Sequence, residues 1–131
     1  YEYTDKPILI EGIDHRIESS NLGSRDLSSS KSLQASMDHL QLNNFEFDVA
    51  ELHTQFSFEL PFLRSLLGLV DVPTNLSGGP LVGNVMMCGG LDAIGKTYES
   101  LKQNDLHRGL AHASSGPCLQ HNMLVHLEKK Q

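Results

Sequence analysis

The chain has 131 residues, 39% of them apolar, which suffices for the core of one domain and is too short for two separate ones. With 10 Lys and Arg against 16 Asp and Glu the formal charge is −6, which argues against nucleic acid or an anionic membrane as a partner. No apolar run approaches the roughly 18 residues of a membrane span, and two cysteines, Cys88 and Cys118, are too few for a disulfide framework, which suits a reducing, cytoplasmic setting.

The amino terminus, Tyr-Glu-Tyr-Thr-Asp-Lys-Pro, is polar and begins without Met, so it reads as neither a secretory signal nor a natural start, and a piece of a longer polypeptide is expected. Ile8, Leu9, Ile10 and Ile13 predict a largely buried strand over residues 7–17, and the polar stretch 19–30 a loop. From Ser30 a serine cap followed by Leu33, Met37, Leu40 and Leu42 predicts a helix to about residue 42. Phe45, Phe47 and Val49 alternate with polar residues, predicting a second strand through 53. Phe56, Leu60, Leu63, Leu66 and Leu67 form a helical stripe closed by Gly68; Pro61 inside it fits only a first turn or a kink.

Residues 73–90 form a glycine-punctuated loop running into an apolar segment. Glycines bring backbone N–H groups close to a ligand, and Asn84 is placed to cap the next helix or to donate a hydrogen bond. That helix is expected over 84–103, with Met86, Met87, Leu91, Ile94, Tyr98 and Leu101 inward and Cys88 serving as packing. Gly89, Gly90 and Ala93 would let it lie close to a sheet. Residues 109–113 and 123–127, divided by Ser-Ser-Gly-Pro, predict adjacent strands or a hairpin. The alternation argues for an α/β layered sheet, mostly parallel with an antiparallel end.

Two local patterns suggest other chemistry. Residues 90–97, Gly-Leu-Asp-Ala-Ile-Gly-Lys-Thr, match a P-loop literally, but helical spacing runs through them, which would commit the backbone N–H groups that a phosphate cradle needs. The seven histidines invite a metal reading, especially His107, His112, Cys118, His121 and His126, in which the histidines fall in the pairs 107/112 and 121/126. Each pair differs by five positions, which in a strand puts the side chains on opposite faces, and no Cys-x-x-Cys or His-x-x-x-His pair is present, so no metal site is expected.

Three stretches, Val-Ala-Glu-Leu-His-Thr-Gln-Phe-Ser at 49–57, Asn-Leu-Ser-Gly-Gly-Pro-Leu-Val-Gly-Asn at 75–84 and Ala-His-Ala-Ser-Ser-Gly-Pro-Cys-Leu-Gln-His-Asn at 111–122, together resemble the carboxyl-terminal half of the thiolase superfamily. The resemblance is to the branch that includes sterol-carrier and lipid-transfer thiolase-like proteins, and it spans nearly the whole chain. It implies a thiolase-like half-fold: a five-stranded, mostly parallel mixed sheet with helices on both faces, one half of an αβαβα sandwich, with residues 1–131 as its C-terminal domain.

The resemblance also implies an acetyl-CoA acetyltransferase-like enzyme acting on an acyl-CoA, with coenzyme A thioester as substrate and no covalently bound cofactor. Its nucleophilic Cys would lie in an N-terminal half that this chain lacks, so the chain alone would be inactive, and the full-length protein would dimerise or take a second subunit. His53 matches a family position that holds a catalytic water or thioester oxygen. Asn84 stands where the family has a His, Cys118 is the candidate for its second reactive Cys, and Ser77, Gly78, Gly79 and Gly83 form the substrate-binding loop. An amide donates hydrogen bonds but exchanges no proton near neutral pH, so Asn84 points also to retro-aldol cleavage of a lipid or steroid CoA thioester. Other readings are a non-catalytic acyl-binding module and, remotely, a P-loop nucleotide binder.

Overall fold

The structure is a computed structural model and describes residues 5–130. Strands β1 (Ile8–Ile17), β2 (Val49–Leu52), β3 (Arg108–Ser115) and β4 (His121–Lys129) form one mixed sheet in the order β1-β4-β3-β2. β3 and β4 are the expected hairpin, β2 pairs with β3 in parallel, and β1 pairs with β4 antiparallel. β1, β2 and β3 therefore run one way and β4 against them, so two of the three ladders are antiparallel although most strands share a direction.

The sheet has four strands rather than the five that the resemblance implied, and beyond β2 there is a single parallel bridge between Thr74 and Ala50. Pro73 has no N–H to add to a ladder, and Asn75 turns into the left-handed region at φ 54°, so the pairing cannot extend either way. The second strand is also shorter than its alternation suggested. Phe45 and Phe47 pack on the His126 ring, with centroids 4.8 and 5.4 Å away, rather than joining the sheet.

Helices α1 (Lys31–His39) and α2 (Glu59–Leu66) cover one face of the sheet, where Leu33, Met37, Leu63 and Leu67 meet Ala50, Leu52, Leu110 and Leu124. Ser30 caps α1 by accepting from Leu33 N, and Pro61 sits in the first turn of α2, where its missing N–H costs nothing. Helix α3 (Gly89–Gln103) covers the other face, packing Ala93 and Leu101 on Val49, Ala111, Val125 and Leu127.

α3 departs from its predicted start and from its predicted inward stripe. It begins at Gly89 with Cys88 as its cap position, so Asn84 is not a helix cap. Met86 and Met87 precede the helix and are 81% and 96% exposed, and Leu91 is 71% exposed. The inward face is the thin one, Ala93, Thr97 and Leu101, because small side chains allow the closest approach to β3. A Cβ on Gly109 would stand only 2.3 Å from Thr97 Cγ2, and one on Gly90 3.1 Å from Ala113 Cβ. β1 is likewise less buried than its composition suggested: as an edge strand it leaves Ile10, Ile13 and Ile17 more than half exposed. Among the described residues no helix is long and apolar enough to cross a membrane.

Candidate functional site

The glycine-rich loop is tied to β2 by two side chains. Asn75 copies a strand neighbour, its Oδ1 accepting from Leu52 N (2.6 Å) and its Nδ2 donating to Leu52 O (3.0 Å). Glu51, almost fully buried on β2, accepts from Ser77 N (3.1 Å) and Ser77 Oγ (2.7 Å). Ser77 in turn accepts from Gly79 N, and Gly78 and Gly79 take φ of 91° and 61°, a turn that side chains rarely allow. Ser77, Gly78 and Gly79 thus build the turn, while Gly83 and Asn84 line a narrow cleft together with Glu51, His53 and Lys96. The free volume of that cleft is about 10 Å³, room for a single water.

His53 extends the β2–β3 ladder by one bond, its N–H donating to His112 O (3.2 Å). Its ring meets Ser114 at the far end of β3: Nδ1 to Oγ is 3.3 Å, and Ser114 Oγ donates to His53 O at 3.3 Å. A hydroxyl has one proton. Given to the carbonyl, it leaves Oγ to accept from Nδ1–H, so the neutral imidazole carries a bare Nε2. Burial lowers the His53 pKa below the ordinary histidine value, against the opposing pull of the Glu59 charge and of Ser114. Neutral His53 is therefore the resting form at pH 7, with Nε2 available as a base.

On its other side His53 borders an open groove of about 620 Å³, also lined by His15, Cys88, Ser114, His121 and Met123. Gly89 leaves room for the ring here, since a Cβ would lie 3.2 Å from His53 Nε2 and press on it. Cys88, expected to pack, is exposed at this groove. Lys96 pairs with Asp92 one turn back on α3 at 2.7 Å, and residues 90–97 are helical throughout, so the extended loop that a nucleotide cradle requires is not formed. Among the described residues no cluster of His, Cys, Asp and Glu is arranged to hold a metal.

Cys118 sits elsewhere. The β3–β4 turn carries it past the strand end into a tight bend in which Gly116, Cys118 and Leu119 all have positive φ. There it is exposed and lines a third cavity, whose lining shares no residue with the cleft or with the groove at His53. Ser114, not Cys118, is the β3 residue against His53. Its signal lay within the 111–122 motif, since Ser114 comes two residues after inward-facing His112, at the place where the strand stops.

Below this site lies a buried polar chain. His112 Nε2 donates to Asn122 Oδ1 (3.0 Å), and Asn122 Nδ2 donates to Ser32 Oγ (2.9 Å) and Leu119 O (2.7 Å). Burial drives His112 down to about 4, and its Nδ1 has no partner among the described residues. This chain of bonds holds the turn, α1 and the hairpin together.

No family model matches the sequence, and no curated protein matches it. Among solved structures the chain is similar to the acetyl-CoA acetyltransferase of Bacillus anthracis, with a TM-score of 0.73 over 94% of this chain and 15% identity. The chain spans 30% of that protein's length. At such identity the likeness concerns the backbone: the chain has a thiolase-like fold.

Proposed function

We propose that the chain is the carboxyl-terminal part of a thiolase-like enzyme acting on an acyl-CoA thioester, with His53 as its base and the Asn84 amide as donor to the thioester oxygen. The observation that carries this reading is the position of His53, its Nδ1 3.3 Å from Ser114 Oγ, at the end of β2 between the glycine-loop cleft and an open groove, on a thiolase-like fold. Carboxyl ends of strands are where open α/β sheets hold ligands. The exposed apolar run Leu81, Val82, Val85, Met86, Met87 and Leu91 supports a further polypeptide half covering this side, in a full-length protein that dimerises.

Within that class the side chains favour aldol cleavage over acyl transfer. Asn84 stands where the family has a His, and Ser114 rather than Cys118 meets His53, which leaves His53 as the titratable side chain common to the cleft and the groove. Retro-aldol chemistry needs one such group. His53 Nε2 takes the proton of a β-hydroxyl, the Cα–Cβ bond breaks so that the β-carbon leaves as an aldehyde or ketone and its electron pair gives the thioester enolate, and the imidazolium returns the proton to Cα. Asn84 would hold the enolate oxygen.

The test is turnover by the complete polypeptide that carries this chain, on acetoacetyl-CoA with free CoA and on a 3-hydroxyacyl-CoA. Cleavage of the hydroxyacyl substrate is expected, falling about 10²–10⁴-fold in His53→Ala and about 10²-fold in Asn84→Ala. Thiolysis that survives both changes would refute the site. Thioester binding with neither reaction would make the chain an acyl-binding module instead.

A further inference from the structure

A cavity of about 400 Å³ opens between the β1–α1 loop, the start of α2 and the β3–β4 turn. It falls within the range of small-molecule sites, about 300–1,000 Å³. Leu27, Phe58, Phe62 and Leu119 give it apolar walls, and Leu27 and Phe58 are 48% and 65% exposed, so apolar surface faces water there.

Arg25 stands at the same cavity with its charge uncancelled. Nη2 donates to Pro117 O (3.1 Å) and Nη1 to Cys118 O (3.3 Å), while buried Nε has no acceptor among the described residues. Two of the five N–H donors of a guanidinium are thus committed, both to neutral carbonyls. None of the ion pairs among the described residues includes Arg25. Glu18 feels its charge, but that carboxylate is bound by Ser30 Oγ (3.1 Å) and Ser32 N (2.8 Å). Glu59, the acid in the wall, is 3% exposed and accepts from Gln55 N and Phe56 N, closing the turn before α2. The carbonyl bonds therefore fix a cation in place beside an apolar trough.

We propose that this cavity binds an aliphatic carboxylate, with its head group on the Arg25 guanidinium and its chain along Leu27, Phe58 and Phe62. A planar guanidinium matches a carboxylate's two oxygens, and the apolar walls match an unbranched chain. The cavity shares no lining residue with the cleft or groove at His53, so this site does not depend on the thioester reading.

The two exposed cysteines supply the test, since Cys118 lines this cavity and Cys88 lines the groove at His53. The chain is alkylated with iodoacetamide at rising decanoate, and each cysteine is followed by peptide mass spectrometry. Decanoate should slow alkylation of Cys118 and leave Cys88 unchanged. Decanol, which has no charge, should need about tenfold more for half-protection, as should decanoate acting on Arg25→Gln, because a charge-assisted hydrogen bond is lost. Arg25→Lys keeps the charge without the two-pronged donor and should restore only part of the protection. Absence of protection at millimolar decanoate, equal protection of both cysteines, or equal potency of decanoate and decanol would overturn the proposal. The decanoate and decanol comparison uses the unaltered chain, so it decides even if Arg25→Gln does not fold.

Discussion

Gly109→Ala tests the close approach of α3 to the sheet, which sets the position of Gly89 and Asp92 beside His53. In a strand this change would ordinarily stabilise by about 0.5–1 kcal/mol, because glycine loses more conformational freedom on folding. Here the added Cβ would lie 2.3 Å from Thr97 Cγ2 and 3.3 Å from Leu101 Cδ1. Ordinary carbon contacts begin near ~3.5 Å, and Thr97 and Leu101 are both fully buried, so neither can swing away. The overlap should cost about 1–3 kcal/mol, reversing the sign.

Thr97→Ser deletes the offending methyl and keeps the hydroxyl bond to Ala93 O (2.8 Å), at a cost of about 1 kcal/mol for one buried carbon. The double variant should then be more stable than Gly109→Ala alone, by about 1 kcal/mol or a melting shift of about 3–5 °C. Urea unfolding followed by circular dichroism measures all four proteins. Costs that simply add, or a stabilising Gly109→Ala, would refute the packing argument.

Three further outcomes follow from the hydrogen bonds around the site. His112 titrates at about 4 in the folded protein, against the ordinary histidine value of 6.5 in the unfolded chain, so below 6.5 the unfolded chain takes up a proton that the native chain refuses. Stability is therefore lost as pH falls from about 6.5 to 4, approaching roughly 3 kcal/mol from this group; His112→Gln should flatten that part of a stability–pH curve, and an unchanged slope would contradict it. Ser114→Ala removes the hydroxyl oxygen that accepts from His53 Nδ1, a bond stronger to the charged ring, so the His53 NMR titration midpoint should move down, and an upward move would overturn the assignment. Asn75→Ala breaks both bonds to Leu52 and should cost about 1–3 kcal/mol, with faster hydrogen exchange at the Leu52 amide; unchanged exchange there would show that the loop is held by other contacts.

Periodicity and turn chemistry made most of the elements legible in the sequence: the Ser30 cap, the Pro61 first turn, the Gly68 stop and the hairpin around Gly116 all lie where local rules put them. What local rules missed were choices made by packing. For α3 the apolar stripe of Met86, Met87 and Leu91 competed with the small face of Ala93 and Thr97, and close contact with Gly109 decided for the small one. Pairing beside β2 stops after one bridge because Asn75, having given its N–H to Ala50 O (2.8 Å), turns into the left-handed region and bonds Leu52 through its side chain instead. The motifs singled out His53, Gly83 and Asn84, which the fold sets around one cleft, whereas Ser114 was not legible, because which residue of the 111–122 motif meets His53 depends on the parallel register of β2 with β3.

The thioester site is tested most directly by a crystal structure of the complete polypeptide with a non-hydrolysable acyl-CoA analogue in which a methylene replaces the thioester sulfur. The carbonyl oxygen is predicted to lie within hydrogen-bond reach of the Asn84 amide, with the acyl carbons beside His53 Nε2 in the groove that also contains Ser114 and Cys88. An analogue bound with its carbonyl out of reach of both residues would contradict the account.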